Sequence, residues 1–371
     1  MKKVIAIKPV QQTGPMMVTW DLGRRCNYDC SYCQAHHHNN YSKHRTLDEC
    51  TTVFDFIKEW TDTYNSYRNT EFPTTINFTG GEPTNNPNFW KILEYISQRD
   101  PAISLSLTTN GAFNKKYVDH IVKYMSGVTV SYHTEADPML KEQVIQNVLE
   151  LSKHKIWMQV NLMMHVDHWD ECVAVYERLK SHNVTVKLRP IGDGAFAIKG
   201  WFIDTDGSNR RTTHEYSEAQ QEWFWKQHGV DYKAVKQSAG HDMGRQCCGN
   251  RELCGKSECK TDQPEAKWED ISLINTEFKG WSCMVDWYFL HIDHETELVY
   301  HHQTCRAKHG KQVGAIGSLT DTKAMLDTMK ARLSNKVIDH IICPNSRCGC
   351  GMCVPKAKDA QVFEEIFNEK R

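Results

Sequence analysis

Residues 24–40 read RRCNYDCSYCQAHHHNN. Cys26, Cys30 and Cys33 are spaced C-x3-C-x2-C, and His36, His37 and His38 follow at once. Soft ligands crowded in this way hold metal wherever the compartment keeps thiols reduced. Two readings are open from these residues. With His36 as a fourth ligand the stretch closes a structural zinc site, C-x3-C-x2-C-x2-H. With three thiolates alone it suits an iron–sulfur cubane whose fourth iron stays free to bind something else, which is the logic of a catalytic site.

Working outward, the stretch lies directly after MMVTWDL (16–22), a strand by its composition and alternation. Further β-rich runs are TTINFTG (74–80), ISLSLTTN (103–110), VTVSYH (128–133), IWMQVNLMM (156–164) and VTVKLRP (184–190). Between them, apolar residues fall at helical spacing in 47–60, 86–96, 114–125, 138–154 and 169–182. Six strands alternating with five helices predict an α/β architecture of parallel strands joined by right-handed crossovers, as a barrel, a partial barrel or an open sheet. The unusual peptides all fall just past strand ends: the cysteine loop, GGEP (80–83), TTNG (108–111) and SYHTE (131–135). Parallel α/β folds build their active sites on that face, so the four peptides are expected to converge.

The bulk properties narrow the class. A length of 371 residues exceeds one small core, and 45 basic against 46 acidic residues leave a net charge of −1. No bulk attraction to nucleic acid follows from that balance. The N-terminus lacks the apolar core of a signal peptide, and no run of about 18 apolar residues suggests a membrane span. A cytoplasmic protein is expected, and its 15 cysteines then need a reason. Cys50 and Cys172 stand alone in amphipathic helices and read as core side chains. The other thirteen form two groups, three near residue 30 and ten after residue 246.

That distribution divides the chain into an N-terminal segment (1–15), a core (16–191), a connector (192–246) and a cysteine-rich domain (247–371). The connector contains WFIDTDGSNRR (201–211), a loop or hairpin, and EYSEAQQEWFWKQHG (215–229), a helix whose aromatics read as core packing. In the last part, WYFLHIDHETELVYHH (287–302) reads as two strands around a turn, with Cys283 and Cys305 near its two ends. A helix over 321–333 and then CPNSRCGCGMC (343–353) follow, with Cys343, Cys348, Cys350 and Cys353 held in turns.

CNYDCSYC (26–33), TGGEP (79–83), TTNG (108–111) and the serine of VSYH (130–133), taken in strand order, resemble the radical S-adenosylmethionine (SAM) superfamily. The resemblance implies a partial (β/α)6 TIM-like barrel carrying a cysteine-rich C-terminal extension. It implies that Cys26, Cys30 and Cys33 bind three irons of a [4Fe–4S] cluster whose fourth iron chelates SAM. Tyr32 would lie by the adenine, and Gly80, Gly81 and Glu82 would receive the methionyl ammonium. Asn110 and Ser131 would contact ribose or carboxylate, and Arg189 the carboxylate charge. His133 is the candidate to meet substrate, with the histidines at 36–38 a polar loop at the barrel mouth.

The C-terminal region resembles the SPASM or twitch extensions of that superfamily, although C-x4-C-x-C-x2-C stands where C-x2-C-x5-C-x3-C is usual. One auxiliary [4Fe–4S] cluster on Cys283, Cys305 and two of Cys343, Cys348, Cys350 and Cys353 is the leading expectation. A second would draw on Cys247, Cys248, Cys254 and Cys259, and a zinc knuckle at 343–353 is the bland alternative. The activity implied is reductive SAM cleavage and hydrogen abstraction from a peptide or protein side chain, or from a sugar or other small metabolite. An electron donor such as flavodoxin or ferredoxin would be the partner. Only a short segment precedes residue 16, which argues against a separate leader-peptide module, and nothing suggests a cobalamin domain. A zinc-stabilised scaffold is the alternative of another class, and it leaves GGEP, TTNG and VSYH unexplained.

Overall fold

The computed structural model describes residues 6–7, 16–33, 38–68, 73–191, 216–229, 278–285, 288–302, 305, 314–334, 340–343, 354 and 356–363. In chain order the strands are β1 (Ala6–Ile7), β2 (Met17–Asp21), β3 (Thr75–Thr79), β4 (Ser104–Thr109), β5 (Gly127–Tyr132), β6 (Trp157–Met164), β7 (Val186–Pro190), β8 (Ser282–Cys283), β9 (Phe289–Asp293), β10 (Leu298–Tyr300), β11 (Ala315–Ser318), β12 (Ile341–Ile342) and β13 (Lys356–Ala357). The α-helices are α1 (Leu47–Arg68), α2 (Phe89–Arg99), α3 (Val118–Tyr124), α4 (Pro138–Leu151), α5 (Trp169–Ser181), α6 (Glu218–Gln227) and α7 (Thr322–Ser334).

Strands β2 to β7 pair in sequence order, all parallel, with a helix in each crossover. Of the architectures the alternation allows, this is the partial (β/α)6 barrel that the resemblance implies. Burial alternates along each strand because successive side chains face opposite ways. Val18, Trp20, Ile76, Phe78, Leu107, Val130, Val160 and Leu162 are at most 1 % exposed and pack in the core under the helices. Each such side chain stabilises by about 1.5–3 kcal/mol relative to exposure. The opposite, concave face is half-buried and polar: Asn77 Oδ1 accepts from Ser106 Oγ at 3.1 Å, and Asn161 Oδ1 from Gln159 Nε2 at 2.9 Å.

The sheet is larger than the six strands legible in the alternation. β9 adds parallel to β2, with Asp293 opposite Asp21, and β10 and β11 continue antiparallel to give nine strands. The expected hairpin over 287–302 is therefore real, and it is bonded to the core sheet. Helix α7 packs against α1, where Lys330 Nζ meets Glu59 Oε1 at 2.7 Å. A second sheet, in the order β1-β13-β8-β12, gathers short strands from the two ends of the chain.

Cys50 and Cys172 are fully buried, as expected of core thiols. The connector helix also forms, and its Phe224 and Trp225, with Tyr216 just before it, belong to the main core cluster. WFIDTDGSNRR, His36, His37, and Cys247, Cys248, Cys254, Cys259, Cys348, Cys350 and Cys353 lie outside the described residues. Among the described residues no helix is long and apolar enough to cross a membrane.

Candidate active site

The cysteine loop leaves the C-terminal end of β2 and returns on itself. Its base is pinned where Cys26 N–H donates to Asn39 O at 2.7 Å and Asn39 N–H to Arg24 O at 2.8 Å. The GGEP turn after β3 then lies directly under the loop. Gly81 N–H donates to Gly23 O at 2.8 Å and Glu82 N–H to Arg25 O at 2.9 Å. Gly80 has φ +119°, and a Cβ on Gly81 would sit 2.3 Å from Arg24 O. Glycine is required here because two backbones touch.

Glu82 binds GGEP to TTNG. Its buried carboxylate accepts from Thr84 Oγ1 (2.6 Å), Thr84 N (3.0 Å), Thr109 Oγ1 (2.7 Å) and Asn110 N (2.6 Å). Burial pushes this carboxyl up, and these donors oppose the shift. With the side chain so occupied, the acceptors left to this turn are backbone carbonyls. Asn110 Nδ2 reaches Asn27 Oδ1 at 2.7 Å and lies 3.9 Å from Cys26 Sγ, so TTNG does meet the cysteine loop. Behind it, buried Asn147 of α4 holds the turn by donating to Gly111 O and Phe113 O at 2.9 and 2.7 Å.

SYHTE closes the other side. His133 Nδ1 and Tyr32 Oη are 2.7 Å apart with their rings stacked. Burial lowers the His133 pKa to about 4, so the ring is neutral near pH 7. Glu135 accepts from Ser31 N at Oε2 (2.7 Å) and from Ser31 Oγ at Oε1 (2.6 Å), and His165 Nε2 lies 3.2 Å from the same Oε1. Burial alone would raise the Glu135 pKa, but the Ser31 and His165 contacts outweigh it and hold the carboxyl low. His165 Nδ1 accepts from Asp167 N–H at 3.2 Å, which leaves the proton on Nε2 facing Glu135. His133 and Glu135 thus grip Tyr32 and Ser31, the two residues between the second and third cysteines.

Burial raises the Cys26 thiol to about 11 and the Cys30 thiol to about 12. Both are protonated in the bare chain at neutral pH, so a metal must displace their protons. Among the described residues no three His, Cys, Asp or Glu side chains close on a point as ligands of one metal ion do. Farther along the concave face, half-buried Arg189 on β7 donates from Nε to Asn161 Oδ1 at 3.2 Å. Ser131 lies opposite Asn161 in register.

Glu135 was visible in the sequence only as the end of SYHTE, and nothing singled out Ser31 or His165. The C-terminal hairpin also supports the loop, which no local signal could show. Ser42 Oγ donates to Glu295 Oε1 at 2.8 Å, and Arg45 reaches Glu297 Oε1 at 3.2 Å and Glu295 O at 3.3 Å.

The site is thus a loop of three thiols over the first strand of a parallel half-barrel, backed by a double-glycine turn. Residues 20–192 match the family model of the radical SAM superfamily, and this part of the chain is a radical SAM domain. The chain is similar to an S-adenosylmethionine-dependent nucleotide dehydratase of Selenomonas ruminantium, 30% identical over 26% of this chain and 30% of the relative. It is similar to the mycofactocin maturase MftC of Mycobacterium tuberculosis (strain ATCC 25618 / H37Rv), 26% identical over 26% of this chain and 22% of that one. A GTP 3',8-cyclase of Nautilia profundicola is 28% identical over 44% of this chain and 52% of its own length. The chain therefore matches about half or less of these curated relatives. The solved structure of histidine-tagged anSMEcpe with bound AdoMet shares the fold, with a TM-score of 0.50 at 14% identity over 87% of this chain and 80% of that one.

Proposed function

We propose that the chain is a radical SAM enzyme whose radical abstracts hydrogen from a substrate C–H bond, with a peptide or protein side chain as the first substrate class. The convergence of GGEP, TTNG and SYHTE on one loop of three thiols carries the reading. Cys26, Cys30 and Cys33 hold a [4Fe–4S] cluster, which when bound and reduced supplies the electron that splits SAM into methionine and a 5'-deoxyadenosyl radical. The chain's own groups bind and orient. Backbone carbonyls at Gly80 and Gly81 accept the methionyl ammonium, and Glu82 keeps that turn in place from below. Tyr32, held by His133, offers a ring to the adenine. Asn110, Ser131 and Arg189 face the ribose and carboxylate from the concave side. The engagement of His133 with Tyr32 makes it an orienter of that ring before a contact to substrate.

The C-terminal thiols support an auxiliary [4Fe–4S] cluster. Cys283 and Cys305 are 2% and 3% exposed and share one buried cluster with Val285 and Val354. Cys343 donates its N–H to Trp281 O at 2.7 Å and so extends the ladder that carries Cys283. Two of Cys343, Cys348, Cys350 and Cys353 complete the set. The fold likeness to anSMEcpe spans 87% of the chain, whereas the curated relatives named above match over at most 44% of it. Oxidation or rearrangement of a sugar or other small metabolite is the second reading, favoured by the nucleotide enzymes among the relatives. An electron donor such as flavodoxin or ferredoxin completes the partners, in a cytoplasmic setting.

Anaerobic purification tests this. Brown protein with about eight irons per chain, forming 5'-deoxyadenosine from SAM and dithionite, is the expected result for two clusters. Colourless protein with stoichiometric zinc would overturn it.

The grip of Glu135 on Ser31 gives a finer expectation. Glu135→Ala removes two bonds to a carboxylate, about 1–2 kcal/mol of loop anchoring at this partly exposed position. Iron loss from the core cluster to a chelator should speed up roughly tenfold, with loss from the auxiliary cluster unchanged. Equal bleaching rates in the variant and the parent chain would remove this role.

A further inference from the structure

Arg189 stands on β7, the sixth strand of the half-barrel, in register beside Met163 of β6. Its Nε donates to Asn161 Oδ1 at 3.2 Å, and the same oxygen accepts from Gln159 Nε2 at 2.9 Å. A carboxamide oxygen has two acceptor sites, so both are filled and the amide is locked. Gln159 is itself buried, at 5% exposure. The guanidinium is therefore held by one nitrogen, and Nη1 and Nη2 are left for another acceptor. Among the described residues no carboxylate pairs with it. Burial lowers its pKa, and no neighbouring acid opposes the shift. His228, at the C-terminal end of α6, borders the same place: burial lowers its pKa, and the charge of Arg189 lowers it further. Two basic groups thus meet here, and among the described residues no acid stands between them.

We propose that Arg189, held by Asn161, binds a carboxylate of the substrate, so that the peptide substrate carries an acidic side chain close to the residue that reacts. The inference rests on the peptide reading above and names the substrate class more finely. A guanidinium held half-buried without a counter-charge costs folding free energy, and a bound anion offsets that cost. The methionyl carboxylate of SAM lies elsewhere, because it shares an iron with the ammonium and so stays by the GGEP turn after β3. Strand β7 is four strands further along the sheet, roughly 19 Å by strand spacing. Arg189 thus faces the SAM site from across the concave side, and the substrate enters between them. With its pKa lowered, His228 is neutral near pH 7 and adds no second charge. One positive charge balances one carboxylate, whereas a phosphate dianion would be left half neutralised. The planar fork of a guanidinium also matches the two oxygens of a carboxylate in a bidentate pair.

The test uses the anaerobically reconstituted full-length chain with SAM bound, and two probes that differ in charge. N-acetylglutamate amide carries the carboxylate, and N-acetylglutamine amide is its neutral counterpart. Ligand-observed NMR titration gives both dissociation constants. The parent chain is expected to bind the acid about tenfold more tightly than the amide, the size of one charge-assisted bidentate pair. Arg189→Met should abolish that preference and weaken SAM binding, read by calorimetry, by a smaller factor. Arg189→Lys keeps the charge without the fork and should keep only part of the preference. Equal binding of the two probes by the parent chain, or a preference that survives in Arg189→Met, overturns the proposal. A larger loss for SAM than for the acidic probe assigns the guanidinium to the methionyl carboxylate and overturns it as well. Should Arg189→Met fail to fold, Arg189→Lys decides, since an undiminished preference there removes the fork from the argument. A chain that cleaves SAM but shows no preference loses this inference alone. A chain that forms no 5'-deoxyadenosine yet prefers the acid through Arg189 keeps the subsite and loses the radical reading instead.

Discussion

A Cys30→Ala chain is expected to form no 5'-deoxyadenosine above the buffer control while retaining about half of its iron. Cys30 is the most buried of the three loop thiols, 7% exposed, and it sits between the anchors of the loop. Cys33 N–H donates to Cys30 O at 3.0 Å, so these two cysteines form one turn. An alanine leaves that turn intact, because the bond is made by backbone. The fold should therefore survive, and the variant should lose only a thiolate. An iron without its protein ligand is exposed to exchange, and a cubane missing one corner cannot deliver an electron to SAM. Cys283 lies in the other sheet, so iron assigned to the C-terminal thiols should be held. Persistent 5'-deoxyadenosine in the variant would remove Cys26, Cys30 and Cys33 from the role assigned to them.

Gly81→Ala is expected to be the most damaging single methyl group that this site can receive. The added carbon would meet Arg24 O at 2.3 Å, Arg25 O at 2.5 Å and Arg24 C at 2.6 Å, all of them backbone atoms. No side-chain rotation relieves that collision. The cysteine loop must lift off the GGEP turn, losing the bonds from Gly81 N–H and Glu82 N–H. Overpacking costs about 1–3 kcal/mol and each of the two lost hydrogen bonds about 0.5–1.5 kcal/mol, so a loss of roughly 2–6 kcal/mol is expected. Denaturant unfolding of the variant measures it, and iron binding by the loop thiols should fail in parallel. Gly229→Ala is the control. That glycine has φ +68° and nothing within 4 Å of the added carbon, so it isolates backbone strain of about 1 kcal/mol from collision. A Gly81→Ala chain no less stable than this control would show that the loop adapts.

Both predictions concern residues that were legible in the sequence, and for one reason. Cys26, Cys30 and Cys33, like Gly80 and Gly81, act within short peptides whose spacing is itself the chemistry. The six core strands were legible on similar grounds, since their alternation against helical periodicity is local. Helix bounds moved by a few residues: the first runs to Arg68, beyond the periodic stretch that ends at residue 60.

Partner choice was not legible. The alternation of 287–302 identifies two strands, but its period is the same whether the strand pairs with β2 or within a separate domain. Main-chain hydrogen bonds carry no side-chain signature, so the union of β9 with β2 appears only once the chain is folded. His133, Glu135 and Ser31 are a similar case. Their types suggest polar chemistry, yet the contact between Ser31 and Glu135 joins residues 104 apart. Lys356 is the extreme one, since a lysine in a polar C-terminal stretch reads as solvated. Its burial against Cys283 depends on the pairing of two short strands 73 residues apart. By itself the sequence determined the thiol loop, the strand-end motifs and the half-barrel, because each is written in local spacing. The tertiary structure alone decided which groups hold that loop and which charge faces the second thiol set, because those interactions form only where distant backbone meets.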